Sequence, residues 1–429
     1  MDVVEERNHK PADVVIWIEN CMRIIHAHKY YYMRAGAERF MLDMMEMQEL
    51  HGHMVIPFSM HYPKNLPSPW SDYFVSEVNT EAGVGRGLAA LRQAGRALWS
   101  REAYRNMCRL IDDVRPDLVH VHNIYTLLSP SNLAEYKRHN VPVVMSVHDY
   151  GLVSANYSLW DAQRNEPMNL DRLGLLATAQ TRFMKDSYLA TFVLEAINRW
   201  HHVWGAYDRR IDHYHVVSHF LADVMQRTGF HPTNMTMRYP FTQPVKAFRR
   251  SDEGYVLYVG RLERTKGVQT LVEAMQAFPD VELRIAGTGS YESELRQFIG
   301  KNQKVSFLGF VAGQALDDLR AGARVVVAPS VWHEVLGLVA VEAMSQGVPV
   351  IVSDRGGLRE IVEDGVSGSV FKAGDVEDLQ RVLGPYVHDQ AFAHSLGEAA
   401  YERARALVDP ERLYADIMGM YESVIRSRP

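Results

Sequence analysis

Two carboxylates eight positions apart, in the run Glu334-Val-Leu-Gly-Leu-Val-Ala-Val-Glu342, have the types and spacing to grip a set of hydroxyls. Glu334 reads as a loop residue, and Glu342 as a position inside a helix that starts near Leu338. Such a helix aims free main-chain N–H groups at the loop Val335-Leu336-Gly337, so Gly337 and Leu338 can hold a phosphate there. Behind the phosphate, Glu342 can accept hydrogen bonds from the two adjacent hydroxyls of a ribose. Glu334 can do the same for a sugar ring. Most glutamate pairs are merely solvated. This helix, however, is otherwise apolar, and a carboxylate in a buried helix requires a partner.

Three further loops point the same way. Gly260-Arg261-Leu-Glu-Arg-Thr-Lys266-Gly267 lies between the strand-like YVLYV and a helical pattern. Two cations at the carboxyl end of a strand suit a diphosphate, although alone they would equally make an exposed basic turn. Ala286-Gly287-Thr-Gly289 closes the next strand, and glycines there let main chain approach a ligand. Gly309-Phe310-Val311 follows VSFL and either presents main-chain groups to a base or simply leaves the strand. Each is weak alone. At successive strand ends of one sheet they describe a nucleotide-diphosphate site.

The first half carries its own candidates. Lys29-Tyr-Tyr-Tyr32-Met-Arg-Ala35-Gly36 joins a strand to an amphipathic helix, and Gly36 at the helix start can admit a phosphate or an acceptor. His148-Asp149 ends the strand VPVVMSV, and His120-Val-His122-Asn123 ends DLVHVHN. The pairs His26/His28, His120/His122 and His213/His215 each share one face of a strand, which makes zinc a formal alternative. No H-E-x-x-H or cysteine pair accompanies them, so the histidines are read as lining a cleft. Gly83-Val-Gly85-Arg-Gly87 follows VNTEA rather than an apolar strand, and a Walker loop is absent. Both observations count against hydride transfer and nucleoside-triphosphate hydrolysis. Asp-x-Asp does not occur, which weakens any mechanism built on a metal-bound sugar nucleotide. From Arg86 to Arg109, six arginines (86, 92, 96, 101, 105 and 109) face one acid, Glu102, with Leu88, Leu91, Leu98 and Trp99 between them. A basic amphipathic helix of this kind can lie on an anionic membrane, and a solvated face is the commoner alternative.

These residues must be positioned by alternating β-branched runs and amphipathic stretches, the pattern of βαβ units and parallel sheets, and it occurs twice. The strands expected are 23–28, 54–58, 118–122, 141–147 and 215–217, then 255–259, 281–286, 305–308, 324–328 and 349–352. Helices are expected at 37–50, 267–277, 291–299, 338–346 and, last, from about Pro410 to Ile425. The prolines of Tyr239–Arg250 mark a linker. Residues 1–21, with the apolar run Val14–Ile18, read as an N-terminal extension, either an edge strand or an arm. Length and composition agree with two globular domains: 47% apolar and 23% charged residues build full cores. A net charge of −6 argues against a nucleic-acid partner. Two cysteines, Cys21 and Cys108, cannot form a disulfide framework, and neither a secretory signal nor a membrane-spanning run is evident.

Taken together and in order, the E-x7-E element (Glu334, Glu342), the G-R-x4-K-G element (Arg261, Lys266), the A-G-x-G loop, the His148-Asp149 pair and the first glycine loop resemble the retaining glycosyltransferases of family four. The resemblance runs from about Met22 to the C-terminus and is most specific between Val256 and Val370. It implies the α/β GT-B fold, with two Rossmann-like domains facing across a cleft. These would be residues 22–241 for the acceptor and 242–409 for the sugar nucleotide, with 410–429 a helix crossing back. It implies Arg261 and Lys266 at the diphosphate, Glu342 at the ribose, Glu334 at the donor-sugar hydroxyls, His148 near the donor sugar and Gly36 beside the phosphates. Gly260, Gly287, Gly309, Val311, Val335, Leu336, Gly337 and Leu338 complete the donor site. Ala35-Gly36 stands where the family usually has Gly-Gly, and Val335-Leu336 where it usually has Gly-Phe. The implied activity is transfer from a nucleoside-diphosphate sugar to a hydroxyl acceptor, with no metal or other cofactor. The expected setting is the cytoplasm, with peripheral membrane contact through Arg86–Arg109 as a second reading and the oligomeric state open. An epimerase of similar fold, or a non-catalytic sugar-nucleotide-binding subunit, are the competing functions.

Overall fold

The computed structural model describes residues 21–78, 88–248, 251–301 and 303–428. The Val14–Ile18 run, the Gly83–Gly87 loop with Arg86, and the Arg249–Arg250 end of the linker lie outside these residues.

Two parallel sheets carry the fold. The first contains β1 (Arg23–Ala27), β2 (Met54–Phe58), β3 (Leu118–Val121), β4 (Val143–Val147), β7 (His213–Val216) and β8 (Met235–Met237), in the order β2-β1-β3-β4-β7-β8. A short antiparallel ribbon, β5 (Trp160–Asp161) and β6 (Glu166–Pro167), lies between β4 and β7 in the chain. The second sheet contains β9 (Tyr255–Val259), β10 (Glu282–Ala286), β11 (Lys304–Gly309), β12 (Ala323–Ala328), β13 (Val350–Ser353) and β14 (Gly368–Phe371), in the order β11-β10-β9-β12-β13-β14. The order turns back between β9 and β12, and in open α/β sheets ligands bind at the carboxyl ends of strands at such a switch.

Helices fill the connections. With β1 to β8 come α1 (Gly36–Leu50), α2 (Leu88–Leu98), α3 (Arg101–Val114), α4 (Leu133–Arg138), α5 (Leu175–Gln180), α6 (Tyr188–Val203) and α7 (His219–Arg227). The second sheet brings α8 (Val268–Ala274), α9 (Glu292–Leu295), α10 (Gln314–Ala321), α11 (Leu338–Met344), α12 (Leu358–Ile361), α13 (Val376–His388), α14 (Gln390–Leu407) and α15 (Pro410–Arg426).

Near-continuous apolar strands such as VIVS and ARVVVA are buried on both faces, as helix-covered parallel strands require. The period of two sorts the second sheet's side chains into two cores. Val256, Tyr258, Leu283, Ile285, Val325 and Val327 pack on one face. Leu257, Val326, Ala328, Val350 and Val352 pack on the other. Ala323 joins the second group although it has the parity of Val325, because the β12–β9 register shifts between these two residues.

By contact density the chain divides into two compact units. One holds the described residues up to Met145, with His201–Asp212 and Met420 onward. The other holds Ser146–Trp200 and His213–Gly419.

Several expectations need correction. β4 starts at Val143 rather than Val141, because Pro142 has no N–H for a ladder. The single basic helix expected over 86–109 is two: α2 ends at Leu98, and the Ser100 hydroxyl caps α3 by accepting from the Ala103 N–H at 3.2 Å. The histidines of β1 and β3 do not line a cleft. His26, His120 and His122 are all at most 1% exposed. The Nδ1 of His26 lies 3.1 Å from the Nε2 of His122, and its Nε2 lies 2.8 Å from the Oε1 of Gln48. Gln48 donates to the Tyr421 hydroxyl at 3.3 Å, which sits 2.6 Å from the Nδ1 of His120. Among the described residues these three histidines are grouped closely enough to hold a metal, yet ring nitrogens of each already serve this chain of hydrogen bonds.

Burial holds His26 at about 4, opposed only in part by Gln48, and His215 at about 4, opposed in part by the Arg238 carbonyl. Burial and the neighbouring Lys29 charge hold His28 at about 3. These folded values lie below the ordinary 6.5, so between them the unfolded chain binds more protons and stability rises with pH. The free energy of unfolding should therefore be flat above pH 7 and fall as pH drops through 6.5 toward 4, by about 3 kcal/mol for His26 alone. Urea melts at stepped pH check this, and an unchanged midpoint between pH 7 and 5 would contradict it.

Candidate active site

Because β9 and β12 are hydrogen-bonded neighbours, the loops at their carboxyl ends must meet. The Val331 N–H donates to the Thr265 carbonyl at 3.0 Å, and the Lys266 ammonium donates to the Glu334 carboxylate at 2.5 Å. The same oxygen accepts from the Ser330 hydroxyl at 2.7 Å. The Lys266 Nζ also stands 5.1 Å from the Trp332 ring centre, within cation–π range. The pair is largely sequestered, with 19% of the lysine and 13% of the glutamate side chain exposed. Burial pushes the Glu334 carboxyl up, but the Lys266 charge and hydrogen bond, with the Ser330 hydroxyl, outweigh it. Its pKa lies below the ordinary carboxylate value.

Buried tyrosines fix the surrounding turns. Tyr258, the next-to-last residue of β9, donates its hydroxyl to the Arg261 carbonyl at 2.8 Å, which shapes the turn after Gly260. Tyr150, two residues past His148, donates to the His333 carbonyl at 2.8 Å and so ties the His148 turn to the loop that carries Glu334. Burial first, then the Glu334 charge, raises both phenols well above their ordinary value. His148 itself is half-buried at the end of β4.

Two glycines are demanded by close approach. A Cβ on Gly287, whose φ is +151°, would stand 1.8 Å from the Gly260 carbonyl oxygen. The loops after β9 and β10 are therefore in main-chain contact, and the Gly287 N–H donates onward to the Gly309 carbonyl at 2.7 Å. A Cβ on Gly357 would stand 2.3 Å from the Val335 carbonyl oxygen, while its N–H donates to the Glu334 carbonyl at 2.7 Å. The loop after β13 thus props the loop after β12.

The remaining expected residues fall as follows. Leu336 is buried in the core, so it can meet a ligand only through its main chain, while Val311 and Leu338 pack against the same cluster. Gly337 is the N-cap residue of α11. Glu342 does have the partner its apolar helix requires: Arg320 of α10 forms an ion pair with it, and Arg320 also binds Asp317 at 3.1 Å. Arg261 is two-thirds exposed and pairs with Glu263 at 2.6 Å. Gly36 opens α1 in the other compact unit and is exposed. Lys266, Glu334 and the His148 turn are therefore brought together, as are Gly260, Gly287 and Gly309. Sequence reading missed Ser330, Tyr150, Tyr258, Arg320 and Gly357. Only Gly357 carried a signal, as part of a glycine pair after a strand like those noticed elsewhere.

Two adjoining family profiles match the chain: one described as "Glycosyltransferase Family 4" over residues 34–243, the other as "Glycosyl transferases group 1" over residues 241–403. Among curated relatives, the uncharacterized glycosyltransferase MJ1607 of Methanocaldococcus jannaschii is 41% identical over 212 residues, covering 44% of this chain and 54% of its own. The chain spans about half the length, or less, of this and other curated relatives it matches, among them a sulfoquinovosyl transferase of Arabidopsis thaliana. Among solved structures, a sucrose-phosphate synthase from Thermosynechococcus elongatus superposes with a TM-score of 0.69 at 20% identity, over 95% of this chain and 100% of its own. HepE of Anabaena, solved with UDP and glucose, does so with a TM-score of 0.64 at 18% identity, over 94% and 100%. Such likenesses establish the GT-B fold, two parallel-sheet α/β domains.

The ion pair yields a pH-resolved expectation. In the wild type the Glu334 pKa lies below its unfolded value, so its contribution to stability is present above about pH 4.3 and is lost as pH falls. In Lys266→Met, burial prevails and the order reverses, so the variant weakens as pH rises. The stability gap between the two should be small near pH 4 and reach about 2 kcal/mol at pH 7, allowing for the partial exposure of both groups. Denaturant melts at the two pH values measure it, and a gap that does not vary with pH would mean that the pair is not what holds these loops.

Proposed function

The chain belongs to the group 1 glycosyltransferases of family four, and from that membership we propose that it moves a sugar from a nucleoside-diphosphate sugar to a hydroxyl acceptor, with retention at the anomeric carbon and without a metal. The observation that carries the reading is Lys266, held by Glu334 at the switch point of the second sheet. When the bond between the anomeric carbon and the phosphate oxygen breaks, negative charge builds on the distal phosphate. A fixed ammonium stabilises that charge with little reorganisation, helped by Arg261 and by the main-chain N–H groups of Gly337 and Leu338. The acceptor oxygen bonds to the anomeric carbon from the same face, and its proton passes to the departing phosphate. No separate carboxylate base is then required.

The other groups have supporting parts. Glu334, already ionised by its neighbours, accepts from donor-sugar hydroxyls, and His148 meets the donor sugar from its own turn. Glu342, aligned by Arg320, accepts from the ribose hydroxyls. Gly260, Gly287 and Gly309 give the nucleotide a main-chain wall. HepE was solved with UDP and glucose, which makes UDP-glucose the first donor to try.

With a donor and acceptor pair in hand, Arg261→Ala and Lys266→Ala should each lower kcat/KM by about 100-fold or more. Arg261→Ala should keep the wild-type melting temperature, because that side chain is mostly in solvent. Product NMR should give the donor's own anomer, and EDTA should leave the rate unchanged. Wild-type turnover in either alanine variant would remove the assignment. Full loss of activity in EDTA would remove the metal-free mechanism alone.

A further inference from the structure

One large apolar ring is left in water at the edge of the second sheet. Phe310 is 80% exposed, and among the described residues it meets no other ring and no cation. Phe392, also exposed, at least packs edge-on against Tyr386, with 5.3 Å between ring centres. Apolar residues scattered over a surface are ordinary. What sets Phe310 apart is its position.

That position follows from the strand order. β9, β10 and β11 are successive neighbours running outward from the switch point, and main-chain bonds tie their loops together. The Gly260 N–H donates to the Ala286 carbonyl at 3.0 Å, and the Gly287 N–H donates to the Gly309 carbonyl at 2.7 Å. Gly260, Gly287 and Gly309 thus form a surface without side chains, and Phe310 is the first side chain beyond it. Gly309, whose φ is +69°, ends β11 and turns the chain there. On the other side Val311 packs against the cluster that also holds Leu338, the first residue of α11. Phe310 is therefore fixed between the glycine wall and a residue anchored beside the start of α11. Two strand spacings, about 10 Å, separate β9 from β11. Lys266 and Glu334 mark the phosphate end of this line, and a base joined to its diphosphate through a ribose reaches to the other end.

The chemistry of the ring selects its occupant. It offers neither charge nor a hydrogen-bonding group, so a phosphate gains nothing from it, whereas a flat aromatic face does. Every nucleobase has such a face, and stacking on an aromatic side chain is worth much the same for each of them. We propose that Phe310 is the stacking platform for the base of the nucleotide. The inference rests on the transfer reading for the presence of a nucleotide and adds the side chain that grips its base. Phe310 then contributes affinity, while the choice among bases falls to groups that meet the base edge.

Calorimetric titration of the full chain with UDP, GDP and ADP tests it, with inorganic pyrophosphate as the ligand that lacks a base. Phe310→Ala should weaken the Kd of each nucleotide that the wild type binds by about ten-fold and leave that of pyrophosphate as it was. Phe310→Trp should bind like the wild type, and its added indole should be quenched at saturation, beyond any change in the wild-type tryptophan emission. Without ligand both variants should melt with the wild type, because the ring is in solvent. The proposal is overturned if Phe310→Ala binds nucleotide as tightly as the wild type, or if it loses pyrophosphate in the same proportion. It is also overturned if the emission of Phe310→Trp changes no more than that of the wild type. A wild type that binds none of the three nucleotides would remove the transfer reading together with this one, whereas nucleotide binding untouched by Phe310→Ala would remove this one alone.

Discussion

An ammonium and a carboxylate withdrawn from water at the carboxyl ends of two neighbouring parallel strands set the terms for the loops around them. Neither Lys266 nor Glu334 could stay there alone, because an unpaired charge at that depth costs several kcal/mol. Their pairing therefore requires the β9 and β12 loops to keep one relative geometry, and the structure supplies several constraints to that end. Tyr258 fixes the first loop from below. Ser330 supports Glu334 directly, and the Ser353 hydroxyl donates to the Ser330 carbonyl at 2.6 Å. Gly357 admits the third loop against the second. The bonded partners are buried or half-buried groups on adjacent strand ends, so the arrangement follows from sheet order as much as from the side chains.

That dependence explains what was legible in the sequence. Strands such as Tyr255–Val259 and Met54–Phe58 could be read to the residue, because helix-covered parallel strands leave continuous apolar runs. Lys266 and Glu334 were legible as members of spaced motifs at strand ends, although 68 residues separate them in the chain. Their mutual ion pair was not legible, since it depends on β9 and β12 being neighbours. Arg320 escaped notice for the same reason: nothing on the short helix Gln314–Ala321 announces that its arginine will meet Glu342 across the fold. Ser330, Tyr150 and Tyr258 are common residue types whose hydroxyls acquire meaning only from the carbonyl or carboxylate opposite them.

The histidines show the opposite failure, a pattern visible in the sequence whose meaning was misjudged. Spacing of i and i+2 does put His120 and His122 on one side of the chain, as expected. Whether that side faces water is decided by what packs on it. Gln48 from α1 and Tyr421 from α15 cover it and satisfy the rings, so a cluster suited by spacing to a cleft becomes part of a core. A polar core of this kind must remain neutral, and it ties the last helix of the chain to the first sheet through directional bonds rather than through area alone.

Helix α6 extends the same reasoning to the surface. Hydrophobic periodicity fixes that a segment is helical and amphipathic, but it is silent on which face turns inward. In an ordinary domain the hydrophobic effect answers that question. Here it is overruled by Glu195, whose carboxylate would lose its bonds to the Ala155 N–H and the Ser154 hydroxyl if the helix turned over, and by His201, whose bond to the Leu98 carbonyl sets the rotation at the other end. A bond to a buried carboxylate and the burial of one leucine or valine are each worth about 1.5–3 kcal/mol, and turning the helix would also leave the Ala155 N–H without this acceptor, so the polar side keeps the interior. The apolar surface left outside is then a by-product of internal bonding that a free aqueous chain gains nothing by keeping.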